Sequence, residues 1–302
     1  MKDCITAEDK TAMIEFIQNA GRFTNGPMVK KFEQEFSQYI GSKYCVSCKN
    51  GTDALYISLK CLNVGQGDEV ILPSHTAVAT CSAIIMTGAK PRFVDIDPIY
   101  YTIDPSKIKN AINNRTKVII VVHLYGQAAE IETINKIAKE KKIQVIEDCA
   151  QSLGSKFKSK KLGTYGKIGC FSFFPTKNLG AIGDGGAITV NDNRLYQKIK
   201  KFKQYGWDDN RKTVFFGINS RIDEIQSSIL RIKLQKIDYE IKKRNLIAKN
   251  YIKYLNIPEI ILPAIRKQSN HSFHLFVIMT KNRDRLKKFL NEKRITTGIH
   301  YV

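Results

Sequence analysis

The 302-residue chain has no apolar run long enough to cross a bilayer, so no helical membrane span is expected. Its opening, Met1-Lys2-Asp3-Cys4-Ile5-Thr6, lacks the charged-then-apolar pattern of a secretory leader. Histidine is scarce, with five dispersed residues that suggest no metal triad. Cys45-Val46-Ser47-Cys48 has the spacing of a metal or redox pair, but no second pair and no Cys-His set accompanies it. Two small side chains buried on a strand account for it better. The seven cysteines are odd in number and scattered, which fits a reducing, cytoplasmic setting rather than a disulfide framework. Internal repeats and low-complexity tracts are absent as well. Acidic residues are few, 28 against 49 Lys and Arg, for a net charge of +21. The lysines are spread, as in Lys136, Lys139, Lys141, Lys142 and Lys198, Lys200, Lys201, Lys203. They form no stripe interleaved with aromatics, so they read as solvated helix faces and not as a nucleic-acid surface. A positive surface could still steer a diphosphate-bearing substrate.

What is present is regular alternation. Helical spacing marks residues 8–19 and 28–40, the second through Val29, Phe32, Phe36, Tyr39 and Ile40. Strands are predicted at 44–48, 68–72, 91–95, 117–123 and 143–147, with helices from 51 to about 62 and at 76–87, 105–113 and 130–142 between them. A strand at 186–190, a helix at 192–203, a long helix at 221–255, a strand at 273–279 and a helix at 283–293 follow. Strand and helix in turn argue for an α/β fold with a mostly parallel sheet. The length implies a large domain and a smaller one, divided along the long helix into 1–235 and 236–302.

Two segments carry chemistry. In Cys170-Phe171-Ser172-Phe173-Phe174-Pro175-Thr176-Lys177 a lysine follows a short apolar strand, and Gly180, Gly183, Gly185 and Gly186 come after it. Upstream, Gln144-Val145-Ile146-Glu147-Asp148 is a buried strand that ends in an acid. A lysine and a strand-end aspartate are what a protein usually supplies to pyridoxal phosphate. A lone lysine is more often a surface charge, and a strand-end acid is as often a helix cap. Asn50-Gly51-Thr52-Asp53 at a helix start could cradle a phosphate with free N–H groups and a positive dipole end, or merely cap the helix. Ser172 offers a second hydroxyl, and Gln151 could lie against a ring or cap a turn.

Together these segments resemble the sugar-nucleotide aminotransferases of the DegT/StrS group, fold-type I enzymes that depend on pyridoxal 5'-phosphate. The ordered set carries the resemblance: Gly26-Pro27, Asn50-Gly51-Thr52-Asp53-Ala54-Leu55, Gly67-Asp68-Glu69-Val70, Pro73-Ser74-His75-Thr76, Val94-Asp95-Ile96, His123-Leu124-Tyr125-Gly126, Glu147-Asp148-Cys149-Ala150-Gln151, Phe171-Ser172-Phe173, Lys177-Asn178, Gly183-Asp184-Gly185-Gly186 and Gly217-Ile218-Asn219-Ser220-Arg221. The resemblance implies a central, mostly parallel sheet flanked by helices, with a smaller α+β domain at the C-terminus. It implies that Lys177 holds the cofactor covalently and that Asp148 bonds its ring nitrogen. Gln151 would lie by the ring hydroxyl, and Gly51, Thr52 and Ser172 would hold the phosphate. Asn219 would reach the phosphate bound by the neighbouring subunit, making a homodimer part of the site. Glutamate would give its amino group to a keto-deoxysugar on a nucleotide diphosphate, dTDP by analogy, for surface polysaccharide or secondary-metabolite synthesis.

Three departures accompany the resemblance. Ala77 stands where the group usually has an aromatic residue against the ring. The N-terminus is short. The chain stops at Thr297-Gly298-Ile299-His300-Tyr301-Val302, with Val302 where proline is usual, so the small domain is expected to be incomplete. A sugar dehydratase of the same group would carry histidine at the lysine position, and Lys177 argues against it. A non-catalytic or regulatory dimer that binds the cofactor is the other alternative.

Overall fold

The computed structural model describes residues 6–19, 21–255 and 257–301. Met1 to Ile5 and Val302, which figure in the expectations above, lie outside the described residues. Helices α1 (Ala7–Asn19) and α2 (Pro27–Ile40) lead into strand β1 (Tyr44–Cys48). Then come α3 (Gly51–Cys61), β2 (Glu69–Pro73), α4 (Val78–Met86), β3 (Lys90–Val94), α5 (Pro105–Ala111) and β4 (Thr116–Val122). After a 3-10 turn at Leu124–Gly126 follow α6 (Ile131–Glu140), β5 (Gln144–Asp148), the short β6 (Lys156–Phe157) and β7 (Lys160–Lys161), β8 (Ile168–Ser172) and β9 (Gly186–Val190). The chain continues through α7 (Asn193–Phe202), α8 (Glu224–Tyr254), β10 (Ser269–Asn270) and α9 (Arg283–Glu292).

The seven-stranded sheet has the order β1-β9-β8-β5-β4-β2-β3. The pairs β2/β3, β2/β4, β4/β5 and β5/β8 are parallel, and β9 runs antiparallel to both β8 and β1. Helices cover both faces, which explains why β4 is an unbroken apolar run rather than an alternating one. Ile119 and Val121 join α2, α6 and α8 in one core, while Val118, Ile120 and Val122 join α3, α4 and α7 in the other. The same alternation separates Cys45 and Cys48, which lie in opposite cores, so the pair cannot act as one redox or metal unit.

Antiparallel β9 between β8 and β1 leaves β1, β2, β4, β5 and β8 all ending on one edge of the sheet, where ligands of open α/β sheets bind. Asp148 and Ser172 end adjacent strands there, with Asp148 level with Cys170. Next to them Asn50 caps α3, its side chain accepting the Asp53 N–H at 2.8 Å.

One expected element is absent. Residues 273–279 form no strand, and only an isolated bridge joins Met279 to Ile261. Phe273 has φ 43, outside the strand region. The neighbouring N–H groups of Ser272 and Leu275 are spent on the Gly126 and Tyr125 carbonyls rather than on a strand partner. Helix α8 runs unbroken through residue 235.

Candidate active site

At the end of β5, Asp148 is buried, and both carboxylate oxygens are in use. Oδ1 accepts the Ala150 N–H at 3.1 Å and Oδ2 accepts the Thr80 hydroxyl at 2.9 Å. Thr80 spends its proton on Asp148, so Thr76, 2.9 Å from it, must donate in turn. Burial pushes the Asp148 carboxyl above the usual range, opposed by the Ala150 N–H, the Thr80 hydroxyl and the Lys177 charge. No cation makes an ion pair with it among the described residues. Lys177 follows β8 in a turn closed by its own N–H to the Phe174 carbonyl at 2.8 Å. Burial holds its ammonium below the ordinary lysine range, and the Asp148 charge partly restores it.

The start of α3 forms the opposite wall. Asn50 takes up the N–H of Asp53 and its carbonyl that of Ala54, which leaves Gly51 and Thr52 as the open donors of the first turn. The packing there needs glycine: a Cβ on Gly51 would meet Ser172 Cβ at 2.8 Å, and one on Gly186 would meet the Asn50 carbonyl at 2.4 Å. These walls enclose a cavity of about 320 Å³, which Gly51, Thr52, Asp148, Gln151, Ser172 and Lys177 all line. Asn219, the remaining residue singled out from sequence, does not line it. Asn219 is exposed on a segment bridged to Gln204, and the next residue, Ser220, donates to Asp53 Oδ2 at 2.6 Å. Ala77 lines the cavity, and Phe174 is the aromatic ring that does so among the described residues.

Several participants escaped the sequence reading. Thr80 could have been found from its place one helical turn after Thr76 beyond a strand end. Tyr125, His75, His300 and Tyr301 stood in the quoted segments without a role, because they meet only in three dimensions. Gln151 accepts the Tyr125 N–H at 2.8 Å and donates to the Tyr301 hydroxyl at 2.7 Å. Tyr125 donates its hydroxyl to the His300 carbonyl at 2.7 Å, so His75 Nε2, also 2.7 Å away, must be the donor in that pair. Burial, and then the charge of His300, holds the His75 imidazole below its usual range.

The buried set His123, Glu147 and Cys149 lies beside this site with potential ligand atoms within 4.8 Å of one another. Its acceptors are consumed internally. Glu147 accepts from His123 and from the N–H groups of Gly163, Tyr165 and Gly166, and His123 Nδ1 accepts from Ala129. These bonds tie the end of β5 to residues 163–166 ahead of β8 and to Ala129 beyond β4.

Comparisons with known proteins bear on this geometry. The model of the DegT/DnrJ/EryC1/StrS aminotransferase family matches residues 3–302. The dTDP-3-amino-3,6-dideoxy-alpha-D-galactopyranose transaminase of Aneurinibacillus thermoaerophilus is 44% identical over 285 residues, covering 94% of this chain and 78% of its own. The UDP-2-acetamido-2-deoxy-3-oxo-D-glucuronate aminotransferase of Pseudomonas aeruginosa is 41% identical over 290 residues, 96% of this chain and 81% of its own. Among solved structures, ntda from Bacillus subtilis with bound cofactor PMP superposes with a TM-score of 0.91 at 34% identity, over 99% of this chain and 70% of that one.

Proposed function

This chain belongs to the DegT/DnrJ/EryC1/StrS aminotransferase family, and on that premise we propose that it is a nucleotide-sugar aminotransferase working with pyridoxal 5'-phosphate. The observation that carries the reading is the pairing, in one cavity, of a half-buried lysine with lowered basicity and a buried aspartate that makes no ion pair. The residues fit the cofactor on this chain's own terms. A carboxylate held by two donors but without a cation suits a protonated ring nitrogen. A helix start with two open N–H groups, a nearby hydroxyl on Ser172 and no room for a Cβ on Gly51 suits a phosphate.

The bound cofactor supplies an electron sink for the carbanion formed when an amino acid loses its α-proton. The chain's own residues do the rest. Lys177 would hold the group covalently, and its free amine would move the proton to and from the α-carbon. Burial lowers its basicity, which favours the neutral, nucleophilic amine relative to an exposed lysine. Asp148 keeps a proton on the ring nitrogen. Gly51, Thr52 and Ser172 would hold the phosphate, and Gln151 would offer its amide to the ring. The donor is glutamate and the acceptor a keto-deoxysugar on a nucleotide diphosphate. The 44% identity to a dTDP-sugar transaminase favours a dTDP-linked 6-deoxyhexose, bound for surface polysaccharide or secondary metabolites.

We read residues 1–235 as the cofactor domain and 236–302 as the smaller one. The assembly is a homodimer with shared sites, in a cytoplasmic setting. Asn219 is exposed on the same segment as Val214 and Phe216, which are 54% and 96% exposed, and this favours a second copy covering that segment. Among the described residues no helix is long and apolar enough to cross a membrane.

Lys177→Ala tests the reading. The purified wild-type chain should show a cofactor absorbance band that changes on adding glutamate. The variant should lack the band of a lysine-bound cofactor, even where the cofactor still binds through its phosphate, with transamination lower by about 100-fold or more. Wild-type turnover in the variant would sink the assignment.

A further inference from the structure

The amide of Gln151 is oriented without ambiguity. A backbone N–H can only donate, so the atom 2.8 Å from Tyr125 N is Oε1, and Nε2 is a donor with two protons. One goes to the Tyr301 hydroxyl at 2.7 Å. The other remains for the contents of the cavity that Gln151 lines. Tyr301 is therefore an acceptor towards Gln151 and keeps its own proton. Its ring packs edge-on against His75 at 5.5 Å, and the preceding residue, His300, accepts the Tyr125 hydroxyl at 2.7 Å. Residues 300 and 301 thus meet the site at Gln151, Tyr125 and His75, which come from three separate strand-end loops. Burial, and then the Asp148 charge, disfavours ionisation of Tyr301, so its oxygen stays a neutral hydroxyl.

Resting on the aminotransferase reading, we infer that Tyr301 is a positioning residue of the cofactor site. Its hydroxyl fixes the Gln151 amide with an N–H presented to a cofactor oxygen, and so couples cofactor affinity to the seating of the segment at 300–301. Without that hydroxyl the amide keeps one anchor, the Tyr125 N–H, and its nitrogen end is free to turn away.

Tyr301→Phe keeps the ring and its contact with His75 and removes one oxygen. Titrating the cofactor-free full chain with pyridoxal 5'-phosphate should show the dissociation constant rising about fivefold, the net worth of one neutral hydrogen bond. The pH midpoint of the bound cofactor's absorbance should rise as well, because a donor that favours the ionised oxygen is no longer held. In a Gln151→Ala background, Tyr301→Phe should change neither quantity by more than about twofold, the signature of coupled residues.

Unchanged affinity and midpoint in Tyr301→Phe would overturn the proposal, and so would additive effects in the double variant. Thermal unfolding of the cofactor-free proteins is the control: a weaker affinity that accompanies a lowered unfolding temperature assigns Tyr301 to packing and also overturns it. A wild-type chain that binds no pyridoxal 5'-phosphate overturns the aminotransferase reading itself. Wild-type binding with an indifferent Tyr301→Phe overturns this inference alone.

Discussion

Glu147 and Asp148 are consecutive acids on one strand, both buried, and the structure treats them oppositely. Burial pushes Glu147 up, but His123 and the N–H groups of Gly166 and Gly163 outweigh it and hold the carboxyl below its usual range. Asp148 has fewer donors and no ion-pair partner, so burial prevails and its carboxyl is held high. A carboxyl raised above its unfolded value of about 3.9 contributes stability that is present below that pH and lost as pH rises through the folded value. At pH 7 this contribution is unfavourable in the cofactor-free chain, and an uncharged replacement removes it. Asp148→Asn should therefore unfold at the same temperature as wild type or higher at pH 7 without cofactor, while its glutamate half-reaction slows by about 100-fold or more. Thermal melts beside single-turnover rates check both halves, and a half-reaction within a few-fold of wild type would remove Asp148 from its role. The sequence reading selected Asp148 because a strand-end acid reaches the ligand edge. It had no means of telling that Glu147 is saturated, since its donors come from residues 123 and 163–166.

Strands and helices of the sheet region were legible because their apolar period is strong: the structure places each within a few residues of its predicted bounds, and β1 and β9 at the same residues. The failures come from elements without a period. Strands β6, β7 and β10 have two residues each, too few to alternate. The stretch at 273–279 has strand-like composition, yet Phe273 donates its N–H to His271 Nδ1 and Leu275 to the Tyr125 carbonyl. Helix capping across elements is equally invisible in sequence. Glu224, at the start of α8, is buried and accepts the N–H groups of Gly26, Met28 and Val29 at 2.8, 2.9 and 2.9 Å. One carboxylate thus caps α2 from a distance of about 200 residues along the chain. Glu224→Gln keeps the shape but turns an NH₂ group towards N–H donors. It should cost about 1–3 kcal/mol, read by denaturant unfolding, and an unchanged midpoint would show that water replaces the cap at no loss.

At the scale of the whole molecule, the cavity assembles six of the seven residues singled out from sequence, and the seventh, Asn219, stands exposed outside it. That split is what the proposed homodimer with a shared site requires: each cavity would take Lys177 from one subunit and Asn219 from the other. A residue that would serve a partner's site leaves no trace in the local pattern of its own chain, so only the resemblance pointed to Asn219. The arrangement has a consequence that a self-contained site lacks. Asn219→Ala should weaken cofactor binding by about tenfold or more, through loss of a hydrogen bond to a charged group. Lys177→Ala should be inactive outright. When the two variants are co-expressed and pair at random, half of the dimers are hybrids. Each hybrid joins the Lys177 of one chain to the Asn219 of the other in one intact site and combines both defects in its second site. At cofactor concentrations too low to load the Asn219→Ala site, the mixture should then recover about a quarter of wild-type turnover, well above either parent. Activity equal to the mean of the two parents would place Asn219 in its own subunit's site or in none, and sedimentation as a monomer with tight cofactor binding would remove the shared site altogether.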